Sequence, residues 1–404
     1  MKTVVLADTR WSGHHPTYFK EFTASLFRNG ARVIALCPQP EEVREFVEAQ
    51  CEEHVNHLHA VEFQTRNKSI LFPGRDHGPI TTWLRWKTMA KAVRSAEEDT
   101  GWRADLVFFP YLDAWIRFLP FPSLPGKILG RPWSGLYFRC AHLGKSLGKA
   151  AQLAKGDAIL RSPDCIAVAT LDEQFAEQLE TVSGKPVLPW PDITDETPPD
   201  PPSALAKEIA DKAAGRPIIG MVSLSKRKGF LTLLRTAEAT RGKRDWFFAF
   251  AGPFHDDEMT ADEKSFVQRL AAEQPDNLHL DLAAGRINDG RDFNSLIDLF
   301  DIVWAAYENF QGSSNALTKA AVFNKPVIAT KSGVIGERVE KFEIGETITE
   351  SSHADGETAI NTLLNHTFDS KNSSSYHHLH NRERLDTLFG QLIGITVEQH
   401  RIKA

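Results

Sequence analysis

Cysteine is scarce in this sequence. The four present, Cys37, Cys51, Cys140 and Cys165, form no C-x-x-C pair, so neither a disulfide framework nor a zinc site is expected. Long apolar runs are missing as well. The opening "VVLA" stops at Asp8, too short for a secretory leader and suited to a first buried strand. Nothing reaches the roughly 18 residues that span a bilayer. A basic excess is also absent: the formal net charge is -6, which argues against nucleic acid as the main partner. What remains is a globular composition, 42% hydrophobic and 25% charged over 404 residues, long enough for two or three domains. The cytoplasm is the expected location.

The first forty residues alternate between two periods. "TVVLA" reads as a strand, "DTRWSGHH" as a loop, "PTYFKEFTASLFRNG" as an amphipathic helix and "ARVIALCP" as a second strand. Pro16 suits the first helical turn and Gly30 the C-terminal cap. A strand, helix and strand at this spacing imply a parallel sheet. Further strands read at 104–111 and 165–170, the latter followed by a helix, "LDEQFAEQLE". Residues 186–204, "PVLPWPDITDETPPDPPSA", hold seven prolines and fit neither a helix nor an inner strand. The pattern then restarts, with strands at "RPIIGMVSL", "WFFAFAGP", "NLHLDLA", "IVWAAY" and "KPVIATKS" separated by helical stretches. The organisation expected is an α/β domain over 1–190, a proline-rich linker over 191–212 and a second α/β domain over 213–370. A polar loop (its core 366–378) and a last helix complete 371–404, and this segment is expected to pack back on the first domain.

In open parallel sheets, ligands bind beyond the carboxyl ends of the strands. Three loops leave strand ends with unusual residues. "DTRWSGHHP" carries Gly13, where a backbone can approach a ligand, and His14 and His15, which exchange protons near neutral pH. "SLSKRKGF" places Lys226, Arg227 and Lys228 beside a helix that opens at Gly229, a receptor for a diphosphate. "YENFQGSSNALTKAAVF" runs from Glu308 through Gln311, Gly312, Ser313, Ser314 and Asn315 into a helix. One serine suffices as a cap; the surplus of donors suits a phosphate-bearing ligand.

Taken together, these motifs resemble the glycosyltransferases of the GT-B fold, and among them the retaining family 4. "SGHHP" is similar to the family's first-strand loop. "SLSKRKGFLTLLRTAEA" is similar to its R-K-G segment, whose diphosphate lysine falls on Lys228, with Arg227 beside it. "AGP" at 251–253, with Gly252, matches the loop after the second strand of the donor half. "ENFQGSSNALTKAAVFNKPVIATKSGVIGERV" resembles the donor-sugar and ribose motif, which carries Leu317 along its helix. The resemblance implies two Rossmann-like parallel-sheet domains facing each other across a cleft.

The chain departs from the family pattern in the carboxylates. Two glutamates seven residues apart are the family's rule, and counting back from "KPVIA" those positions hold Gln311 and Lys319. Lysine offers only donors and cannot accept from ribose hydroxyls. Taking Glu308 as the first glutamate puts Ala316 at the second and loses the spacing. The histidine that often follows the fourth strand of the first half is replaced by "FFPYLDAW", with Tyr111 and Asp113.

The activity implied is hexosyl transfer from a UDP- or GDP-linked sugar to a hydroxyl acceptor, a glycan or lipid-linked glycan in polysaccharide biosynthesis. Lys228, Arg227 and the helix entered at Ser314 would stabilise the leaving diphosphate in place of a metal, so neither a metal nor a further cofactor is expected. Retention is implied only by the resemblance. His15, His14 or Asp113 would orient the acceptor hydroxyl. Two alternatives stand beside this reading: a nucleotide-sugar or glycan binder that lost turnover, favoured by Gln311 and Lys319, and a GT-B sugar-nucleotide epimerase.

One stretch stands apart. From Ala114 to Gly156 there is no acid, while cations including Arg117, Arg139, Lys145 and Lys149 alternate with aromatics such as Trp133. Such a segment suits an anionic membrane face or a lipid-phosphate acceptor site, which would make the protein peripheral on the inner face of a membrane.

Overall fold

The structure is a computed structural model, and it describes residues 1–65, 79–116, 119, 121–138 and 157–403. Of the stretch singled out for a membrane or acceptor face, Arg117, Arg139, Lys145 and Lys149 lie outside the described residues.

The chain divides into two compact units, Met1–Pro191 with Asn381–Ala404, and Asp192–His380. Each is built on a wholly parallel sheet. In the first unit the strands are β1 (Lys2–Ala7), β2 (Ala31–Cys37), β3 (Leu58–Glu62), β4 (Leu106–Phe109), β5 (Trp133–Tyr137), β6 (Val168–Thr170) and β7 (Val187–Pro189). Their order across the sheet is β3-β2-β1-β4-β5-β6-β7. β1 and β2 are buried nearly throughout, as expected of strands covered on both faces by crossover helices. The helix His15–Arg28 has Pro16 in its first turn, where the missing N–H is no loss.

The second unit contains β8 (Ile218–Ser225), β9 (Phe247–His255), β10 (Leu278–Leu280), β11 (Ile302–Ala305), β12 (Val327–Thr330) and β13 (Gly345–Ile348). Their order is β10-β9-β8-β11-β12-β13. Successive residues feed opposite faces, as the two-residue repeat of a strand demands. Phe248, Phe250, Ile302, Trp304 and Ile328 join one core, while Phe247, Ala249, Val303, Ala305 and Val327 join the other.

Both sheets reverse their winding direction at one point, between β1 and β4 in the first unit and between β8 and β11 in the second. Connections from those neighbouring strands leave to opposite sides and open a crevice at the carboxyl ends.

The proline-rich stretch is not a free linker. Val187–Pro189 is the edge strand β7, a position where proline costs no ladder bond. Asp192 begins the second unit, and Ala204–Ala213 is a helix capped by Ser203 that buries Ala206, Ile209 and Ala213 in that unit's core. Residues 366–378 are not a continuous loop either. Ser370–Leu379 is a helix whose N-cap Asp369 accepts from the Lys371 N–H, and its Tyr376 is fully buried.

The helix Arg382–Lys403 returns to the first unit. Its Leu385, Leu388, Phe389 and Leu392 are buried, with Phe389 packed against Phe22, Phe108 and Trp190. Arg382 clamps Glu21 through bonds of 2.8 and 2.6 Å, and Asp386 accepts from Ser25 and Arg28. Among the described residues, no helix is long and apolar enough to cross a membrane.

Candidate functional site

The crevice between β8 and β11 carries the densest chemistry. After β8 the chain turns through Lys226–Lys228 into Gly229, which holds a left-handed φ of 75° and opens the helix Phe230–Thr240. A Cβ at Gly229 would sit 2.1 Å from the Ala306 carbonyl oxygen, so both backbone sign and space call for glycine here. The Trp304 indole donates to the Gly229 carbonyl at 3.2 Å, and the Glu308 N–H donates to the Arg227 carbonyl at 2.8 Å. The cationic turn and the loop after β11 are thus joined directly.

The three cations of this turn are in different states. Lys226 is ion-paired with Glu263 at 2.8 Å. Burial alone would raise the Glu263 carboxyl, but the Lys226 ammonium and the Thr260 N–H outweigh it and hold the pKa below the ordinary carboxylate value. Arg227 lies over the Phe310 ring at 5.7 Å, and Lys228 reaches the Val222 carbonyl at 3.4 Å. Among the described residues neither Arg227 nor Lys228 meets a carboxylate, so both charges remain available to an anion.

The loop after β11 is held more firmly than its composition suggests. Ser314 caps the helix Asn315–Val322 by accepting from the Ala316 N–H, and its hydroxyl also meets the Tyr307 hydroxyl at 2.8 Å. Ser313 donates to Asp192 and accepts from Arg338 at 2.6 Å. Asn315 accepts from Thr194 at 3.0 Å and donates to the Ile193 carbonyl at 2.9 Å. The side chains of Ser313 and Asn315, expected to bind phosphate, instead fasten residues 192–194 to this loop. Gln311 is exposed and Gly312 partly so. Leu317 is fully buried in the core, so it does not face a ligand.

Lys319 is likewise withdrawn. It is fully buried, 2.8 Å from Asp289, and donates to the Asn294 side-chain amide oxygen at 2.7 Å and the Asp195 backbone carbonyl at 3.1 Å. Its three donors are used inside the protein, and the role toward a nucleoside that its position implied is not available to it. Glu308 accepts from the Thr232 hydroxyl at 2.9 Å. Burial raises its pKa above the ordinary value, with the hydrogen bonds from Thr232 and Ser351 acting the other way.

Next to the crevice, at the ends of β9 and β10, lie two hollows of whose lining the sequence singled out Gly252 alone. One, of about 490 Å³, is lined by Gly252, Arg286, Ile287, Asn288 and Asp292. The other, of about 280 Å³, is lined by Gly252, Lys212, His279 and Gln274. Gly252 has φ 87°, and a Cβ there would meet Ile287 at 3.2 Å. The signal was present in "LAAGRIND", a glycine-bearing polar loop leaving a strand like the three that were singled out.

In the first unit the crevice lies between β1 and β4. Asp8, buried at the end of β1, accepts from His15 Nδ1 at 2.7 Å, and the His15 ring packs against Tyr111 at 4.8 Å. This carboxylate orients the imidazole and fixes which nitrogen carries the proton. Asp8 was passed over in the sequence because it reads equally well as the end of a strand. Gly13 has φ 64° with open space around it, and His14 is the exposed N-cap of the helix. Asp113 is buried and accepts from the Phe138 N–H at 2.9 Å, which ties the end of β5 to the loop after β4. Trp133, expected on a membrane or acceptor face, is instead fully buried on β5 in the core. Among the described residues no group of three or more His, Cys, Asp or Glu is placed to hold a metal ion.

No protein-family model matches the chain, and no curated protein matches it by sequence. Solved structures do. HepE of Anabaena in complex with UDP and glucose superposes with a TM-score of 0.66 at 16% identity, over 98% of this chain and 99% of that one. A glycosyltransferase from Rickettsia africae gives 0.65 at 15% identity, over 98% of both chains. The sucrose-phosphate synthase of Thermosynechococcus elongatus gives 0.65 at 16% identity over 100% of both. The likeness establishes the fold: two parallel-sheet α/β domains of the GT-B type.

Proposed function

We propose that the protein is a glycosyltransferase that takes a sugar from a nucleotide-diphosphate donor and passes it to a hydroxyl acceptor. One observation carries this reading: two cations that meet no carboxylate among the described residues, Arg227 and Lys228, stand at the winding reversal of the second sheet, on a turn hydrogen-bonded to the loop after β11. As the bond from sugar to phosphate breaks, charge grows on the departing diphosphate. Arg227, Lys228 and the N-terminus of the helix Asn315–Val322 stabilise that charge without calling on a metal. The hollow beside Gly252 and Ile287 takes the nucleoside. Solved relatives of the fold with UDP bound support a uridine nucleotide as the first donor to try.

In the first unit, His15 oriented by Asp8 binds the acceptor hydroxyl and takes its proton. The acceptor class is a glycan or lipid-linked glycan, in the cytoplasm. Retention at the anomeric carbon accords with the family resemblance.

Calorimetric titration with UDP and GDP, followed by transfer assays over a panel of nucleotide sugars, tests the reading. Binding of one nucleotide diphosphate, lost in Lys228→Ala, is the expected result. A chain that binds neither nucleotide overturns it. The buried Lys319, where a ribose-binding carboxylate is expected, favours a second reading, a binder without turnover. Tight donor binding with neither transfer nor hydrolysis would select that one.

A further inference from the structure

We propose that the outward face of the helix Pro79–Thr100 docks the protein onto an anionic membrane surface. This reading goes beyond sugar transfer and does not depend on it. Ile80, Trp83, Lys87, Lys91 and Arg94 recur at intervals of three and four residues, so they share one side of the helix. All five are exposed, with Ile80 at 40% and Trp83 at 36%. At about 1.5 Å per residue the stripe runs for about 21 Å. The opposite side is core: Trp86, Met89, Ala90 and Val93 are buried. Arg85, also buried, donates to the Ala114 carbonyl at 2.9 Å.

From Ile80 to Arg94 the charge on this face is of one sign, and the exposed Glu98, four residues beyond Arg94, closes the stripe. Residues 79–96 contain no acid and, besides the buried Arg85, three cations, Lys87, Lys91 and Arg94, in a chain of net charge -6. The first acid of the helix, Glu97, is bound to Arg131 through bonds of 2.9 and 2.8 Å. Lys87, Lys91 and Arg94 meet no carboxylate among the described residues. Lys87 Nζ lies 3.8 Å from the centre of the Trp83 ring, which places the aromatic and the cation together. Phe121, 65% exposed, precedes the helix Leu124–Leu129, which packs against this one and exposes Lys127.

A bilayer surface matches this combination. Amphipathic aromatics sit at the headgroup level, and lysines and arginines near the surface are drawn to anionic lipid. The stripe has exposed isoleucine and tryptophan at one end and cations along the rest, so the aromatic can enter the headgroup layer while the cations meet anionic lipid. Nucleic acid would use the cations but gain little from Ile80.

Co-sedimentation of the full chain with phosphatidylcholine vesicles, with and without phosphatidylglycerol, tests the proposal. The wild type should pellet with the anionic vesicles alone, and added salt should release it. At about fivefold per cation, Lys87→Ala, Lys91→Ala and Arg94→Ala combined should weaken binding about 100-fold. Trp83→Ser should weaken it more modestly, and it serves as the second variant should the triple one lose its native circular dichroism. Failure of the wild type to bind anionic vesicles overturns the proposal. So does equal binding to neutral vesicles, or binding that survives both variants. Binding to single-stranded DNA without vesicle binding would reassign the face and overturn it as well.

Discussion

Lys228 and Lys319 are the same residue type in the same unit, and they do opposite work. Lys228 stands on the turn after β8 with a single long contact to a backbone carbonyl. Lys319 is sealed from solvent and spends its donors on Asp289, Asn294 and the Asp195 carbonyl. Lysine carries no fixed role; its partners decide. A cation left without a carboxylate at a winding reversal is ready for a ligand. One enclosed with a carboxylate holds together the segments that built the enclosure, here residues 195, 289 and 294.

The contrast can be broken by mutation. Lys319→Ala removes a buried ammonium that ties Asp289, Asn294 and the Asp195 carbonyl together and should cost about 3 kcal/mol, the low end for a broken ion pair because Asp289 keeps 22% exposure, read as a lower denaturation midpoint, while nucleotide affinity per folded molecule stays unchanged. Lys228→Ala should do the reverse. Nucleotide-diphosphate binding weakens by about 1.5–3 kcal/mol in calorimetry, and the melting temperature holds. If Lys228→Ala unfolds the protein while Lys319→Ala abolishes binding, the roles assigned above are exchanged.

Lys226 sharpens the comparison from between. Its pair with Glu263 leaves the side chains 30% and 14% exposed, so Lys226→Ala should cost about 0.2–1 kcal/mol of stability and leave affinity intact. The smallest effect concerns pH. Burial holds the Glu308 carboxyl above its ordinary value of 4.5. An acid raised in the folded state contributes stability that is fully present below the unfolded value and lost as pH rises through the folded one. Glu308→Gln should remove that loss, so the two stability profiles coincide at low pH and separate in weakly acidic solution. Parallel profiles throughout would show that Glu308 is not held as described.

The second unit's strands were legible because each is a short apolar run bounded by glycine, proline or charge, and the two-residue repeat needs nothing beyond the local sequence. The cationic turn and the serine-rich loop were legible as elements. Their partners were not. Ser313 and Asn315 looked like surplus donors because residues 192–194 are about 120 positions away along the chain. The use of Lys319 was hidden too, since its partners Asp195 and Asn294 lie 124 and 25 positions away, and no local pattern could have paired it with Asp289. Trp133 was misplaced for a related reason, since aromatics among cations suggest a surface until a sheet is seen to bury one face. The helix Ser370–Leu379 was missed because serine, asparagine and histidine favour caps and turns over helix interiors. Burial of Tyr376 against Phe342 and His380 overrides that preference.

The helix that follows His380 has a consequence for biosynthesis. Its Phe389 completes the aromatic cluster around Phe22, Phe108 and Trp190, and Arg382 neutralises the buried Glu21. These groups emerge from the ribosome only after the whole of Asp192–His380 has been made. The unit whose translation begins first therefore cannot complete its core until the other has been synthesised, and a nascent chain halted near residue 380 lacks the helix that covers Phe22, Phe108 and Trp190.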